Sequence, residues 1–296
     1  MWQASQGREV GGVLAVDPVA LRALLDSTGP IDVEGRTYSA DNVVDALLVE
    51  QYEGFLDDDF DAGDRRDRLG EVAQAAIAAF DSGGWSVDTM IDELPEAVER
   101  RHLLGWSADP AIQEAFESMG MAGAMTEESV SVSVLNRGGG GGGGKLDPFL
   151  EIDARVRVDD EVVDGSRGVT IELRIENTVE EGVPTYVETV TDDVRFGLYE
   201  GILAVNLPAT AQDGRIEVDG EPLSLYSVGR DGPTRLVATS LRLPAERSAR
   251  VEVRFRLPEA IASIRIEPSA RVPEIDWQAP SVPDGRDAPF AVRLYG

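Results

Sequence analysis

The residues closest to a known chemical motif are seven consecutive glycines followed by Lys145, the only lysine in the chain. Gly139 and Gly144 with Lys145 match the G-x-x-x-x-G-K pattern of a phosphate-binding loop, and an alternating, strand-like segment precedes them. Such a loop also needs a helix that begins at the lysine and directs its positive end at the phosphate. Pro148 disfavours helical geometry at Asp147, and no serine or threonine follows the lysine to bind magnesium. We therefore expect a loop between two strands.

A second group with chemical potential lies in the segment DAGDRRDRLGEVAQ. Phosphoryl transfer needs cations that neutralise the charge on the moving phosphate, and arginines supply them. Asp64, Arg65 and Arg68, with Arg66 between them, are therefore conditional candidates for a catalytic site. The alternative is that these arginines form surface ion pairs with neighbouring carboxylates, which contribute little to stability.

The acidic stretch before this segment suggests a calcium loop. Asp57, Asp59 and Asp61 have the spacing with which such a loop begins. Ala62 stands where the loop needs glycine, and Arg68 stands where it needs a bidentate glutamate. The pattern therefore predicts at most a weakly bound divalent cation, with a solvated acidic loop as the alternative. No other cofactor is indicated.

The remaining candidate residues are a histidine and three tryptophans. His102 is the only histidine, which excludes a metal site with two histidine ligands. A catalytic triad would pair it with a serine such as Ser107, but no G-x-S-x-G elbow is present. We expect His102 to have a structural hydrogen bond instead. Trp85, Trp106 and Trp277 could stack on sugars, and the alternative is that they lie at the edges of the core.

Composition limits the classes of partner. The 27 basic and 55 acidic residues give a formal charge of -28, so nucleic acids and anionic lipid surfaces are repelled. No apolar run approaches the ~18 residues of a membrane span. The absence of cysteine excludes disulfides, thiolate metal sites and cysteine catalysis.

The hydrophobic pattern predicts two domains. In residues 1–137, a short strand runs into an Asp17-Pro18 helix cap, amphipathic helices follow, and Asp109-Pro110 repeats the cap, which predicts an α/β domain. Residues 138–145 form a glycine-rich loop at the junction. In residues 146–296 the apolar residues alternate with polar ones between turn signals, which predicts an antiparallel β-sandwich.

Several stretches together resemble the family catalogued as domain of unknown function 4012. They include VGGVLAVDPVALRALLDSTGPIDVEGRTYSADNVVDALL, RHLLGWSADPAIQEAFESMGMAGAM, GKLDPFLEIDARVRV and ELRIENTVEEGVPTYV. The resemblance implies an extracytoplasmic envelope protein of high-GC Gram-positive bacteria, encoded near exopolysaccharide genes and without an established activity. It also implies that the full-length protein is membrane-anchored through an upstream helix, and that this chain starts partway into the family pattern.

The N-terminal part is also similar, more remotely, to the LytR-CpsA-Psr phosphotransferases, which move glycan phosphates from polyprenyl carriers to the cell wall. This likeness assigns conditional roles to Asp64, Arg65 and Arg68. Glu50 and Gln51 stand where that family has a pair of arginines, so the surface-pairing interpretation of the cations is favoured. We therefore predict a non-catalytic binding or scaffolding module in surface-polysaccharide assembly. Its expected partner is cell-wall or polyprenyl-linked glycan, and the alternative is a phosphotransferase that is active only at full length.

Overall fold

The computed structural model describes residues 7, 9–53, 62–137, 144–188, 196–223, 227–280, 282 and 287–295. The chain is a mixed α/β protein built mostly of strands, and it divides into two compact units. The N-terminal unit comprises Met1–Gln51 and Asp57–Ala124, and the C-terminal unit comprises Tyr52–Leu56 and Met125–Gly296. The division falls at residues 124 and 125, whereas the sequence predicts it at 137 and 138. The two differ because the strand at 129–136 pairs within the C-terminal unit.

The described part of the N-terminal unit contains helices and two small antiparallel sheets. Its helices are α1 Pro18–Thr28, α2 Val43–Leu48, α3 Ala62–Asp81, α4 Val87–Glu99 and α5 Pro110–Ser118. Its strands are β1 Gly12–Val16, β2 Ile31–Val33, β3 Arg36–Tyr38 and β4 Leu103–Ser107, and β1 pairs with β4 while β2 pairs with β3. A 3-10 turn, Glu50–Tyr52, follows α2.

Helix caps in this unit lie where the sequence places them. Asp17 Oδ1 accepts hydrogen bonds from the backbone amides of Val19 (2.9 Å) and Ala20 (3.1 Å), and Pro18 occupies the first helical position of α1. Asp109 caps α5 in the same way. The helices α1, α2 and α3 then pack on the β2–β3 hairpin around a core of buried residues. That core consists of Leu21, Leu25, Ile31, Val33, Tyr38, Val43, Ala46, Leu47, Val72 and Ala76.

The C-terminal unit is dominated by two sheets with six strands each. Its strands are β5 Ser129–Asn136, β6 Leu150–Val163, β7 Ser166–Asn177, β8 Tyr199–Pro208, β9 Gln212–Val218, β10 Glu221–Pro222, β11 Ser227–Asp231, β12 Thr234–Leu243, β13 Arg247–Pro258, β14 Ser263–Ile266, β15 Ile275–Gln278 and β16 Phe290–Arg293. Sheet I has the order β10-β9-β13-β7-β6-β15, and sheet II has the order β11-β12-β8-β5-β14-β16. A short helix, α6 Thr185–Glu188, lies between β7 and β8.

The prediction of purely antiparallel sheets is wrong at two places. Strand β15 pairs in parallel with β6, and β14 pairs in parallel with β5. The physical reason is the path of the chain after β13, which enters sheet II, then sheet I, then sheet II again. The sequence also indicates an irregular segment from Val272 to Ala288, but β15 lies inside it because two apolar residues, Ile275 and Trp277, alternate with polar ones there.

Both sheets contribute to one hydrophobic core. Along β6 from Leu150 to Arg157, buried and exposed residues alternate strictly, as the period of two predicts. Trp277 of sheet I is fully buried and meets Phe290 of sheet II edge to face, with ring centroids 5.9 Å apart. The apolar faces of the two sheets are therefore buried in the same cluster.

The glycine run connects strands of different sheets, since β5 belongs to sheet II and β6 to sheet I. After Lys145 the chain forms a 3-10 turn, Asp147–Phe149, and then enters β6. Gly144 has a positive φ of 93°, and its amide donates to the backbone oxygen of Tyr186 at 2.7 Å. Strands thus flank the run on both sides, as the sequence predicts, and the described backbone after Lys145 is not the α-helix that a phosphate-binding loop requires.

Candidate functional site

The outer face of sheet I carries an ordered array of charged side chains. The residues of β6, β7, β13 and β9 that point away from the core are mostly arginine and glutamate, because each of these strands alternates apolar with charged residues. The register across five strands aligns one row of this array. That row consists of Gln278, Arg155, Glu172, Glu252 and Glu217.

Three glutamates are direct neighbours in this row, which by itself is unfavourable because like charges face each other. Arginines from the adjacent rows offset the repulsion. Glu172 binds two of them, Arg157 at 2.7 Å and Arg250 at 2.9 Å. Arg254 contacts both Glu252 and Glu217, and Arg250 also contacts Glu252 at 3.3 Å. We call this network the ion-pair lattice of sheet I.

The lattice is layered, with the carboxylates beneath the guanidinium groups. The side chain of Glu172 is 15% exposed, whereas those of Arg157 and Arg250 are 53% and 59% exposed. The same order holds for Glu217 at 14% and Arg254 at 47%. The central part of this face therefore presents mainly arginine to solvent, in a chain whose formal charge is -28.

A shallow groove with a volume of about 510 Å³ lies beside the lattice. Its walls carry three arginines and three carboxylates, which balance in charge, together with Ser248 and Gln278. The charged residues are Asp153, Arg155, Glu172, Arg174, Asp219 and Arg250. Such a lining offers planar hydrogen-bond donors and acceptors on a rigid strand surface, which suits a polar ligand with many hydroxyl groups.

Arg155 differs from the other arginines in the groove. Its Nε and Nη2 both donate to Gln278 Oε1, at 3.3 and 2.6 Å, across the parallel pair of β6 and β15. By contrast, Arg250 binds the carboxylate of Glu172, and Arg174 binds that of Glu176 at 2.6 Å. Arg155 thus directs its guanidinium at a neutral amide.

Sequence reasoning missed this site, although the sequence contains a signal for it. The solvent-facing positions of ELRIE and RVEVR alternate acid and arginine instead of carrying mixed polar residues. This signal identifies a site only once the strand order is known, because the register of the paired strands determines which charged side chains are neighbours.

A second polar cluster lies inside the C-terminal unit. Tyr199 donates a hydrogen bond of 3.1 Å to Asp147 Oδ1, and Arg271 Nη2 donates to the backbone oxygen of Asp147 at 3.1 Å. Burial raises the pKa of Asp147, against the opposing effects of the hydrogen bond from Tyr199 and the charge of Arg271. Burial likewise raises the pKa of Tyr199 and lowers the pKa of Arg271. This cluster anchors the turn before β6 to the start of β8.

Of the conditional phosphotransferase candidates Asp64, Arg65 and Arg68, only Arg68 has a side chain in the described part of the structure. Arg68 forms an exposed ion pair with Glu34, with Nε and Oε2 3.1 Å apart. Asp64 and Arg65 lie on α3, but their side chains are outside the described part. Arg68 thus forms a surface ion pair with a carboxylate that is distant in the sequence.

The other candidates are distributed as follows. The proposed cation ligands Asp57, Asp59 and Asp61 lie outside the described residues. Among the residues that are described, no group of three or more acidic or histidine side chains could hold a metal ion. His102 is buried and its Nδ1 lies 2.6 Å from Asp17 Oδ2, so it has the structural partner that we expect.

The three tryptophans occupy different environments. Trp277 is fully buried, so it is unable to stack on a sugar. Trp85 stacks on Phe80 with the ring centroids 5.6 Å apart. Trp106 lies on β4 and is 48% exposed. None of the three lines the groove on sheet I.

Comparison with known proteins identifies one family. Residues 1–52 match the model of a family described as protein of unknown function, DUF4012, which confirms the predicted resemblance over that segment. No curated protein matches the chain. No helix within the described ranges combines the length and the apolar character that a membrane crossing demands.

A likeness also exists to a crystal structure from Legionella pneumophila, of a protein to which nutrient binding has been ascribed. The two chains share 9% identity with a TM-score of 0.32, and the alignment covers 51% of this chain and 53% of the other. The chain thus spans about half the length of that protein, and a likeness at this level carries no argument about fold or function.

Proposed function

We propose that this chain, which matches the DUF4012 family over residues 1–52, is an extracytoplasmic cell-envelope protein that binds glycan without catalysis during surface-polysaccharide assembly. In this proposal the C-terminal unit is a β-sandwich, and the groove on its sheet I is the binding site. The hydrophobic core shared by the two sheets supports the β-sandwich. The groove supports the binding site.

The observation that carries the proposal is the chemistry of the groove. Sugar hydroxyls both donate and accept hydrogen bonds, and a site for them needs donors and acceptors side by side. Arg155 and Gln278 supply donors, and Asp153 and Asp219 supply acceptors, all on the paired strands or at their ends. Since strands position side chains more precisely than loops do, the ordering cost on binding is low.

The proposed absence of catalysis follows from the surroundings of the carboxylates. A glycoside hydrolase needs one carboxyl group in an environment that keeps it protonated, and a second carboxylate nearby. Glu172, one of the three carboxylates that line the groove, lies between Arg157 and Arg250. This environment suits a structural anion rather than a general acid.

Isothermal titration of the 296-residue chain against wall glycans and polyprenyl phosphates tests the proposal. We expect binding to glycans with a Kd in the micromolar to millimolar range, which is about the range of a shallow, open site. Substitution of Ser248 by a bulky residue, Ser248→Trp, fills the groove and should abolish binding. The control is Arg242→Gln, which removes an exposed ion pair with Glu200 on sheet II. Absence of binding to every wall glycan and polyprenyl phosphate tested would refute the proposal.

The LytR-CpsA-Psr-like phosphotransferase is the alternative function. It needs an apolar tunnel in the N-terminal unit with Arg65 or Arg68 at its mouth. The ion pair of Arg68 with Glu34 gives this alternative no support. We therefore place the proposed function in the C-terminal unit.

A further inference from the structure

We propose that the groove on sheet I recognises an acidic glycan, through a ligand carboxylate that binds Arg155 and Gln278. This inference rests on the proposed function and adds the chemical class of the ligand. It depends on the pattern of the ion-pair lattice, on its layering and on the geometry of Arg155.

The pattern of the lattice lacks a carboxylate at one position. Glu172 binds Arg157 and Arg250, Glu252 binds Arg250 and Arg254, and Glu217 binds Arg254. At the β15 end of the same row, Arg155 faces Gln278, which is neutral. A carboxylate from a ligand would give Arg155 an anionic partner at the edge of the sheet, as Arg174 and Arg250 have within the groove.

The geometry of Arg155 suits a carboxylate in particular. Two of its nitrogen atoms, Nε and Nη2, already converge on one oxygen atom, Gln278 Oε1. A planar carboxylate offers two oxygens to such a fork and forms the bidentate pair that arginine prefers. The amide nitrogen of Gln278 then supplies a further donor at the same place.

The layering explains how an anion approaches a chain with a charge of -28. At physiological ionic strength, charges more than about 8 Å apart are largely screened, so the nearest side chains decide the local potential. Close to Arg155, Glu172 is recessed at 15% exposure, whereas Asp153 is 59% exposed and has Arg174 3.7 Å away to offset its charge. The ligand therefore meets the guanidinium of Arg155 before it meets Glu172, and Asp153 is the exposed carboxylate that it has to avoid.

A titration with one pair of probes tests this inference. The probes are an oligogalacturonide of defined length and its methyl ester, which has the same shape without the charge. We expect the acid to bind at least about tenfold more tightly than the ester, which is roughly the effect of one charge-assisted bidentate pair. Titrations at rising salt should weaken binding of the acid more than binding of the ester.

Two variants and a control locate the binding. Arg155→Gln should reduce affinity for the acid about tenfold and so remove most of the preference for the acid over the ester. Gln278→Glu fills the missing lattice position with a protein carboxylate and should abolish the preference for the acid. Arg242→Gln removes another exposed arginine, on sheet II, and should change neither affinity. Thermal unfolding of each variant establishes that it is folded.

The outcomes separate this inference from the proposed function. Equal binding of acid and ester, abolished for both by Ser248→Trp, would overturn the acidic ligand and leave glycan binding in place. Preference for a phosphate-bearing glycan over the oligogalacturonide would overturn the assignment to a carboxylate. No binding of either probe, with neutral wall glycans still bound in the groove, would likewise overturn the inference alone.

Discussion

The carboxylate of Asp17, at the start of α1, contacts the imidazole of His102, the residue before β4. Asp17 Oδ2 and His102 Nδ1 are 2.6 Å apart. The other oxygen of Asp17 caps α1, so one carboxylate has two structural tasks. Asp109 forms the same Asp-Pro cap on α5, where its carboxylate accepts hydrogen bonds from the backbone amides of Ala111 and Ile112. The two aspartates therefore form a natural comparison.

We expect Asp17→Ala to lower the free energy of unfolding of the N-terminal unit by roughly 2–4 kcal/mol. Loss of the cap accounts for about 1 kcal/mol, and the buried His102 left without its carboxylate accounts for the remainder. Asp109→Ala, the matched control, should cost only about 1 kcal/mol. Urea denaturation followed by circular dichroism measures both. Equal costs for the two variants would show that the contact with His102 contributes nothing.

Asp147 should give the C-terminal unit a stability term that falls as the pH rises. Burial raises the pKa of its carboxyl group above the ordinary value of 3.8, so the folded state binds the proton more tightly than the unfolded state. Its contribution is therefore fully present below pH 3.8 and is lost as the pH rises through the folded pKa.

The variant Asp147→Asn isolates this term from the many other carboxylates. We expect the free energy of unfolding of the wild type minus that of the variant to decrease as the pH rises from about 3.5 to about 7. Urea denaturation at a series of pH values measures the difference. An increase with pH would mean that the hydrogen bond from Tyr199 and the charge of Arg271 outweigh burial.

Gly201 on β8 should tolerate no side chain. A Cβ atom there would lie 2.4 Å from the ring of Tyr199 and 2.8 Å from the backbone oxygen of Leu135, both of which are held by the sheet. Gly201→Ala should therefore destabilise the C-terminal unit by about 1–3 kcal/mol. In Gly229→Ala, on the edge strand β11, the Cβ meets nothing within 4 Å, so this control should be close to neutral. Thermal unfolding of both variants tests whether the loss of stability at Gly201 comes from steric strain or from replacing any strand glycine by alanine.

Glu172 should stabilise sheet I more than an ordinary surface carboxylate. The variant Glu172→Gln leaves Arg157 and Arg250 close together without the anion between them, and we expect a loss of about 1–3 kcal/mol. Glu200→Gln, which breaks a single exposed pair with Arg242, should cost less than about 1 kcal/mol. Chemical denaturation at low and high salt measures both, and the gap should narrow with salt. An equal, small loss for both variants would show that the lattice behaves as isolated surface pairs.

Local patterns of the sequence predict much of this fold. The Asp17-Pro18 and Asp109-Pro110 caps, and the alternation along β6, depend on residues within a few positions of one another. The four residues of β15 lie in a segment rich in proline, and their burial depends on pairing with β6 and on the packing of Trp277 against Phe290. Local patterns are unable to predict which distant strands become neighbours.

The candidate site illustrates the same limit. Arg65 and Arg68 are candidates because they lie three positions apart in the sequence. The ion pair of Arg68, however, is with Glu34, 34 positions away. Arg155 and Gln278 are 123 positions apart and meet only after β15 joins sheet I. A surface assembled from five strands leaves no compact motif in the chain.

The two parallel pairings have a consequence for biogenesis. Strand β15 completes sheet I, and β16, which pairs with β14, completes sheet II, so the two sheets are whole only after the ribosome has passed residues 278 and 293. Closing loops of this length comes late in folding, because the entropy lost is recovered only when the final strands dock. Until then the nascent chain exposes the aliphatic faces of both sheets. A chaperone that shields them is therefore an expected companion of this unit during its synthesis.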